Sequence, residues 1–250
     1  MDSATQTPKP EALNRDGLWP MPPGPPHEEQ HIAEREVVRD LVGGAADGLV
    51  VPFAVVAVLA GVAAPAAVPA GVAAAVAGGV ALGLGRYLAA RAETEHYAAE
   101  RRREEEETVE YEDRERWEVA AILHRYGVRG DALRLAVDSI CSDTKRWVDF
   151  MMRFELDLKE PEPVRAARGA ATAGAAAAVA GLLPVLPFLG GGAPGQALMV
   201  SALLTGAGLV GFGWLKARGE GQAPIAGALQ RLLAGGIAAA AALVARMAAG

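Results

Sequence analysis

Two stretches of this chain contain no ionisable side chain: Gly48 to Gly85 and Gly169 to Leu215. Each is longer than the roughly 20 apolar residues needed to cross a bilayer. Between them lies a segment of the opposite character. Residues 91–165 hold 20 of the 30 acids and 14 of the 24 Lys and Arg, so the formal net charge of −6 resides there. The chain therefore reads as a membrane protein interrupted by a strongly acidic insertion. No Gly or Pro occurs from Arg86 to Tyr126, so the insertion is expected to open with one long helix or a helix pair.

The fold class expected is an all-α membrane protein of five transmembrane helices, with a three-helix acidic insertion after the second. The expected spans are Leu41–Ala63, Gly71–Ala90, Ala167–Gly190, Gln196–Leu215 and Ala223–Ala248. Residues 1–33 are polar and Pro-rich, read as a disordered tail without a signal-peptide core. Residues 34–90 hold the first two spans, 91–165 the acidic domain and 166–250 the last three. Arg35, Arg39, Arg86, Arg91, Arg165, Arg168, Lys216 and Arg218 fall at alternate span ends, while the breaks at Ala64–Ala70 and Gly190–Gly195 are uncharged. The positive-inside rule then puts the N-terminus and the acidic domain in the cytosol. Trp214 falls where an interfacial aromatic belongs. Gly78, Gly79, Gly83 and Gly85 in the second span, and Gly206, Gly208, Gly211 and Gly213 in the fourth, are candidates for close helix approach.

Asp47 lies about two turns inside the first span, where a carboxylate is costly and normally faces a bundle interior or wet cavity. Pro52 lacks an N–H and is expected to bend that helix. In the acidic domain, Glu104, Glu107, Glu115 and Glu118 share one face of a straight helix, with the pairs about 16 Å apart at 1.5 Å per residue. One ion cannot bridge that distance. Either there are two sites, or the helix breaks near Thr108–Asp113, with Asp113 as an N-cap, and the pairs face one another; the break is the favoured reading. The run RRREEEE also supports a plain solvated face, through Arg101–Glu105, Arg102–Glu106 and Arg103–Glu107 at i, i+4.

Further on, Trp147, Met151, Phe154 and Leu158 form an apolar stripe, with Met152 and Glu155 on the neighbouring face. Carboxylates suit hard divalent ions, and thioether sulfur shifts preference toward transition metals. That mixture points to Fe²⁺, with Mn²⁺ and Zn²⁺ as alternatives. Cys141, the lone cysteine, reads as a small buried side chain. His27, His31, His96 and His124 have no zinc-site spacing and are expected at the surface.

The stretches EREVVRDLVGGAADGLVVPFAVVAVLAG, GRYLAARAETEHYAAERRREEEE, WVDFMMRFEL with its EPEP, and GWLKAR resemble the vacuolar iron transporter family, whose members move Fe²⁺ or Mn²⁺ out of the cytosol. The resemblance covers Glu34 to the C-terminus. It implies a homodimer with the ion path along the subunit interface and a cytosolic metal-binding domain continuing from the second span. The ligands it implies are Glu104, Glu107, Glu115, Glu118, Met151, Met152 and Glu155 in the domain and Asp47 in the first span. Glu36 and Asp40 resemble acids at the cytosolic mouth. Glu105, Glu106 and Glu110 stay solvated. The chain departs from the family pattern in the second span, where a Met followed four residues later by an acid is replaced by Leu82 and Arg86, and at the Thr pair, replaced by Val51–Pro52.

The resemblance implies a divalent metal/proton antiporter in a multi-pass bacterial plasma membrane or vacuole-type membrane. Its partners would be divalent ions, protons, lipid and a second subunit, with no nucleic acid. The ion is cargo, and no prosthetic group is expected. No nucleophile–base pair suggests an enzyme. Two other readings stay open: a membrane-anchored metal buffer or sensor, and a structural membrane protein whose acidic helices bind a partner.

Overall fold

The computed structural model describes residues 31–249, with side chains described for residues 37–248. Residues 1–30, most of the expected tail, lie outside the described residues, as does the Glu36 side chain. All regular structure among the described residues is helical. In chain order the helices are α1 (His31–Gly48), α2 (Val50–Ala60), α3 (Ala64–Glu110), α4 (Glu112–Arg125), α5 (Gly130–Cys141), α6 (Thr144–Phe154), α7 (Pro163–Ala180), α8 (Pro194–Gly219) and α9 (Pro224–Ala249). A 3-10 turn, Leu186–Gly190, separates α7 from α8.

Among the described residues, four stretches are long and apolar enough to cross a membrane: Val37–Ala60, Ala64–Glu110, Pro194–Gly219 and Pro224–Ala248. Several boundaries differ from those expected. The first span is not one helix to Ala63: α1 and α2 meet at Leu49 and α2 stops at Ala60. Pro52 sits where an N–H would have bonded the carbonyl four residues back, which is Gly48, so the break falls where that bond is missing. The second helix begins at Ala64 rather than Gly71, making APAAVPA helical. Pro65 occupies the first turn, where a missing N–H costs nothing, and Pro69 lies one turn in. The third expected span, Ala167–Gly190, is not a continuous helix either. Its helical part, α7, has 18 residues and ends at Ala180, followed by turns and the 3-10 segment.

α3 has 47 residues, about 70 Å at 1.5 Å per residue, against ~30 Å of hydrocarbon. Its apolar half ends near Ala90, and the charged remainder extends well beyond a bilayer's thickness. Within the bundle the helices meet backbone to backbone. A Cβ on Gly79 of α3 would lie 2.6 Å from the Gly174 carbonyl of α7, and one on Gly174 would lie 2.8 Å from the Gly79 carbonyl. Only glycine permits this approach. The expected glycines divide: Gly79, Gly83, Gly208 and Gly213 face close neighbours, Gly206 makes only an ordinary contact with Leu232, and Gly78, Gly85 and Gly211 face open space.

The acidic insertion has an apolar core of its own: Val119 and Ile122 of α4, Val137 of α5, and Trp147 and Met151 of α6, with Cys141 half-buried beside them. Phe154 is not in that core. It is 48% exposed, stacked on Phe150 and edge-on to Tyr126. Asp143 caps α6 by accepting a hydrogen bond from the Arg146 backbone N–H at 2.8 Å. Arg101 of α3 donates to Asp149 of α6 at 2.7 Å, tying the insertion's last helix to its first.

Candidate metal centre

The long acidic helix does break, at Tyr111, whose φ of −127° and ψ of 41° end α3 and let α4 start at Glu112. The expected capping role of Asp113 is not realised. The residue at the N-cap is Tyr111, with no side-chain cap, and Asp113 lies in the first turn of α4. The break turns α4 so that its acids face those of α3. One carboxylate oxygen each from Glu104, Glu107 and Glu115 lie within 4.8 Å of one another. A second triad with the same spacing joins Glu115, Glu118 and Glu155. Glu115 is the shared corner.

Burial sharpens this arrangement. Glu104 is 1% exposed and Glu115 0%, and one oxygen of each, Oε2, is buried without a hydrogen-bond partner. An unpaired buried carboxylate oxygen is costly, and a divalent cation would satisfy two at once. The electrostatics agree. Burial, reinforced by Glu115 and Glu107, pushes the Glu104 carboxyl up to about 7. The Glu155 carboxyl is also pushed up to about 7, first by desolvation, then by Glu118, Glu104 and Glu115. Burial also raises Glu115, against an opposing hydrogen bond from Arg114. Crowded acids that hold protons near neutrality are a site prepared for positive charge.

Arg114 supplies part of that charge. Its Nη2 lies 3.0 Å from Glu115 and 3.4 Å from Glu107, its Nε lies 3.6 Å from Glu118, and its guanidinium covers the Tyr111 ring. Spacing did not single it out, although its position one turn before Glu118 was visible. Met151 is fully buried in the apolar core, and Met152, 1% exposed, lines a cavity with Tyr97, Arg101 and Asp149. Their helix, α6, ends at Glu155, its C-cap and a member of the second triad. Glu105, Glu106 and Glu110 are exposed, as are His96 and His124; His27 and the His31 side chain lie outside the described residues.

Asp47 lies elsewhere, in the helical bundle. It pairs with Arg231 of α9, and Arg86 lies 3.6 Å from its other oxygen. The same Arg86 pairs with Asp40 at 3.4 Å. Arg231 was legible in the sequence as a charged residue inside the last apolar run, but only the fold assigns it to Asp47.

The sequence model for the VIT family matches residues 38–246. The chain is 43% identical over 218 residues to vacuolar iron transporter 2 of Oryza sativa subsp. japonica, an alignment covering 86% of this chain and 89% of that protein. It is 41% identical to vacuolar iron transporter 1 of Tulipa gesneriana, covering 86% and 88%. It is 30% identical over 217 residues to protein CCC1 of Saccharomyces cerevisiae, covering 82% of this chain and 67% of that one.

Proposed function

The chain belongs to the VIT family, and from that premise we propose that it is a transporter that exports divalent transition metal, Fe²⁺ or Mn²⁺, from the cytosol in exchange for protons. The single observation that carries the reading is the pair of triads sharing Glu115, with orphaned buried oxygens on Glu104 and Glu115. Relatives that carry iron transport in their names support iron as cargo. Four apolar helices of bilayer length, with α7 and its 3-10 extension as a fifth crossing, support a multi-pass protein of a vacuolar-type membrane. The acidic domain lies on the cytosolic side in this reading, and two subunits associate along the ion path.

The residues divide the work. Glu104, Glu107, Glu115, Glu118 and Glu155 capture the ion and replace part of its hydration shell. Met151 and Met152, on the same helix as Glu155, add soft donors that favour a transition metal over Mg²⁺ or Ca²⁺. The ion then passes Glu36 and Asp40 toward Asp47. Carboxyls that titrate near 7 bind either a proton or a metal ion within the physiological range, which supports exchange of one for the other. The deciding experiment is uptake of Fe²⁺ and Mn²⁺ by proteoliposomes under an imposed pH gradient. Flux that ignores the gradient removes the antiport mechanism.

One observation favours a second reading, a membrane-anchored metal buffer or sensor. Asp47 and Asp40 already have guanidinium partners in Arg86 and Arg231. Metal binding at Glu104 and Glu115 without any flux, in any gradient, would select that reading.

A further inference from the structure

Asp40, Gly43 and Asp47 are spaced three and four apart and so share one face of α1. The Arg86 guanidinium crosses that face, 3.4 Å from Asp40 and 3.6 Å from Asp47. A Cβ on Gly43 would stand 3.5 Å from the Arg86 Nη2, in ordinary van der Waals contact, so the guanidinium lies directly over this face. Arg231 closes the other side of Asp47. Two carboxylates and two guanidinium groups make a neutral cluster. A divalent ion arriving there meets no net attraction and finds both oxygens of Asp47 engaged.

Each arginine also has an alternative. Arg86 lines a cavity of about 300 Å³ shared with Asp40, Glu93 and Glu162 and with Arg39 and Arg165, and Arg231 lines one of about 330 Å³ shared with Glu220 and Lys216. Glu162 faces Arg165 and Glu220 faces Lys216, each at 3.9 Å. A guanidinium leaving Asp47 can therefore keep a carboxylate within its own cavity, Asp40 or Glu93 for Arg86 and Glu220, shared with Lys216, for Arg231, which lowers the cost of withdrawing it from Asp47.

We propose that Arg86 and Arg231 are tethered counter-cations that hold Asp47 in the resting protein, and that a divalent ion gains Asp47 only as these guanidinium groups swing into their cavities. The arginines thus set the ion concentration at which transport half-saturates. The proposal rests on the transport reading above, and the test separates the two.

Full-length protein in detergent is titrated with Mn²⁺ by calorimetry on a Glu104→Gln, Glu115→Gln background that disables the acidic domain. In that background Arg86→Gln with Arg231→Gln is expected to tighten Mn²⁺ binding by roughly tenfold or more, and Asp47→Asn to abolish the gain. Single Arg→Gln variants, each leaving one guanidinium on Asp47, should shift binding in the same direction by a smaller factor; they keep the test open if the double variant does not fold. Arg86→Lys with Arg231→Lys keeps the charges and should bind as the background does. Mn²⁺ uptake by proteoliposomes, with the acidic domain intact, should half-saturate at a correspondingly lower concentration in the Arg→Gln variants. Unchanged binding in every Arg→Gln variant overturns the proposal even where wild-type protein carries Mn²⁺. Tightened, Asp47-dependent binding without uptake by any variant leaves the counter-cations in place and removes the transport reading.

Discussion

Glu104 and Glu115 stand on different helices, on either side of the break at Tyr111, yet both are buried and each keeps one carboxylate oxygen without a hydrogen-bond partner. Eleven residues apart, they would sit about 16 Å from each other on a straight helix. The break brings their carboxylates within 4.8 Å. That proximity opposes folding of the metal-free domain and favours a bound cation.

Glu115 belongs to both triads, and Glu118 to one. Glu115→Gln should therefore weaken Mn²⁺ binding more than Glu118→Gln, by an expected factor of tenfold or more, since it removes a charged donor from each triad. The same substitution should raise the metal-free thermal midpoint, because it removes one buried like charge. Calorimetric titration and thermal unfolding of the full chain check both. Equal losses for the two variants would argue against Glu115 as the shared corner.

The raised carboxyls make stability depend on pH in a definite direction. Glu104 and Glu155 shift from an ordinary 4.5 to about 7 in the folded protein. Between those values the folded state binds more protons than the unfolded one, so their contribution to stability falls as pH rises from 4.5 to 7 and stays low above. Metal should reverse this, stabilising most at pH 8 and least near pH 5. Below 7, metal affinity should drop about tenfold per pH unit for each proton displaced. Thermal midpoints from pH 5 to 8, with chelator or with Mn²⁺, test the sign; Glu104→Gln with Glu155→Gln should flatten the metal-free profile.

The Arg101–Asp149 bond holds α6, and with it Glu155, against α3. Burial alone would raise the Asp149 carboxyl, but hydrogen bonds from Lys145 and Arg101 outweigh it and hold the group below its ordinary value. Asp149→Ala should cost about 1 kcal/mol, since the pair is partly exposed, and should also weaken Mn²⁺ binding through misplacement of Glu155. A variant with wild-type affinity would show that the second triad does not need this tie.

Gly79 and Gly174 approach each other's carbonyl oxygens more closely than any side chain tolerates. Gly174→Val should cost about 1–3 kcal/mol through forced separation of α3 and α7. Gly78→Ala, one residue from Gly79 but facing open space, should be neutral or stabilising by up to about 1 kcal/mol. Thermal unfolding in detergent distinguishes them.

Much of this protein was legible in the residues themselves. Uncharged runs longer than a bilayer demand helices, because lipid offers no partner for an open backbone. Segregation of charge marked the acidic insertion, and the separation of its glutamate pairs by about 16 Å favoured a break in the long helix over two separate sites. Where helices start and stop was less legible: Pro52 broke α1 from α2, Pro69 was absorbed into α3, and Tyr111 rather than Asp113 took the N-cap. Residue type alone does not decide whether a proline breaks a helix or is absorbed near its start, or which of two neighbouring residues takes a cap. The pairing of Asp47 with Arg231, 184 residues away, belongs wholly to the tertiary structure. Sequence spacing assigns residues to faces of one helix, but which charges meet across a bundle is decided only when separate helices pack.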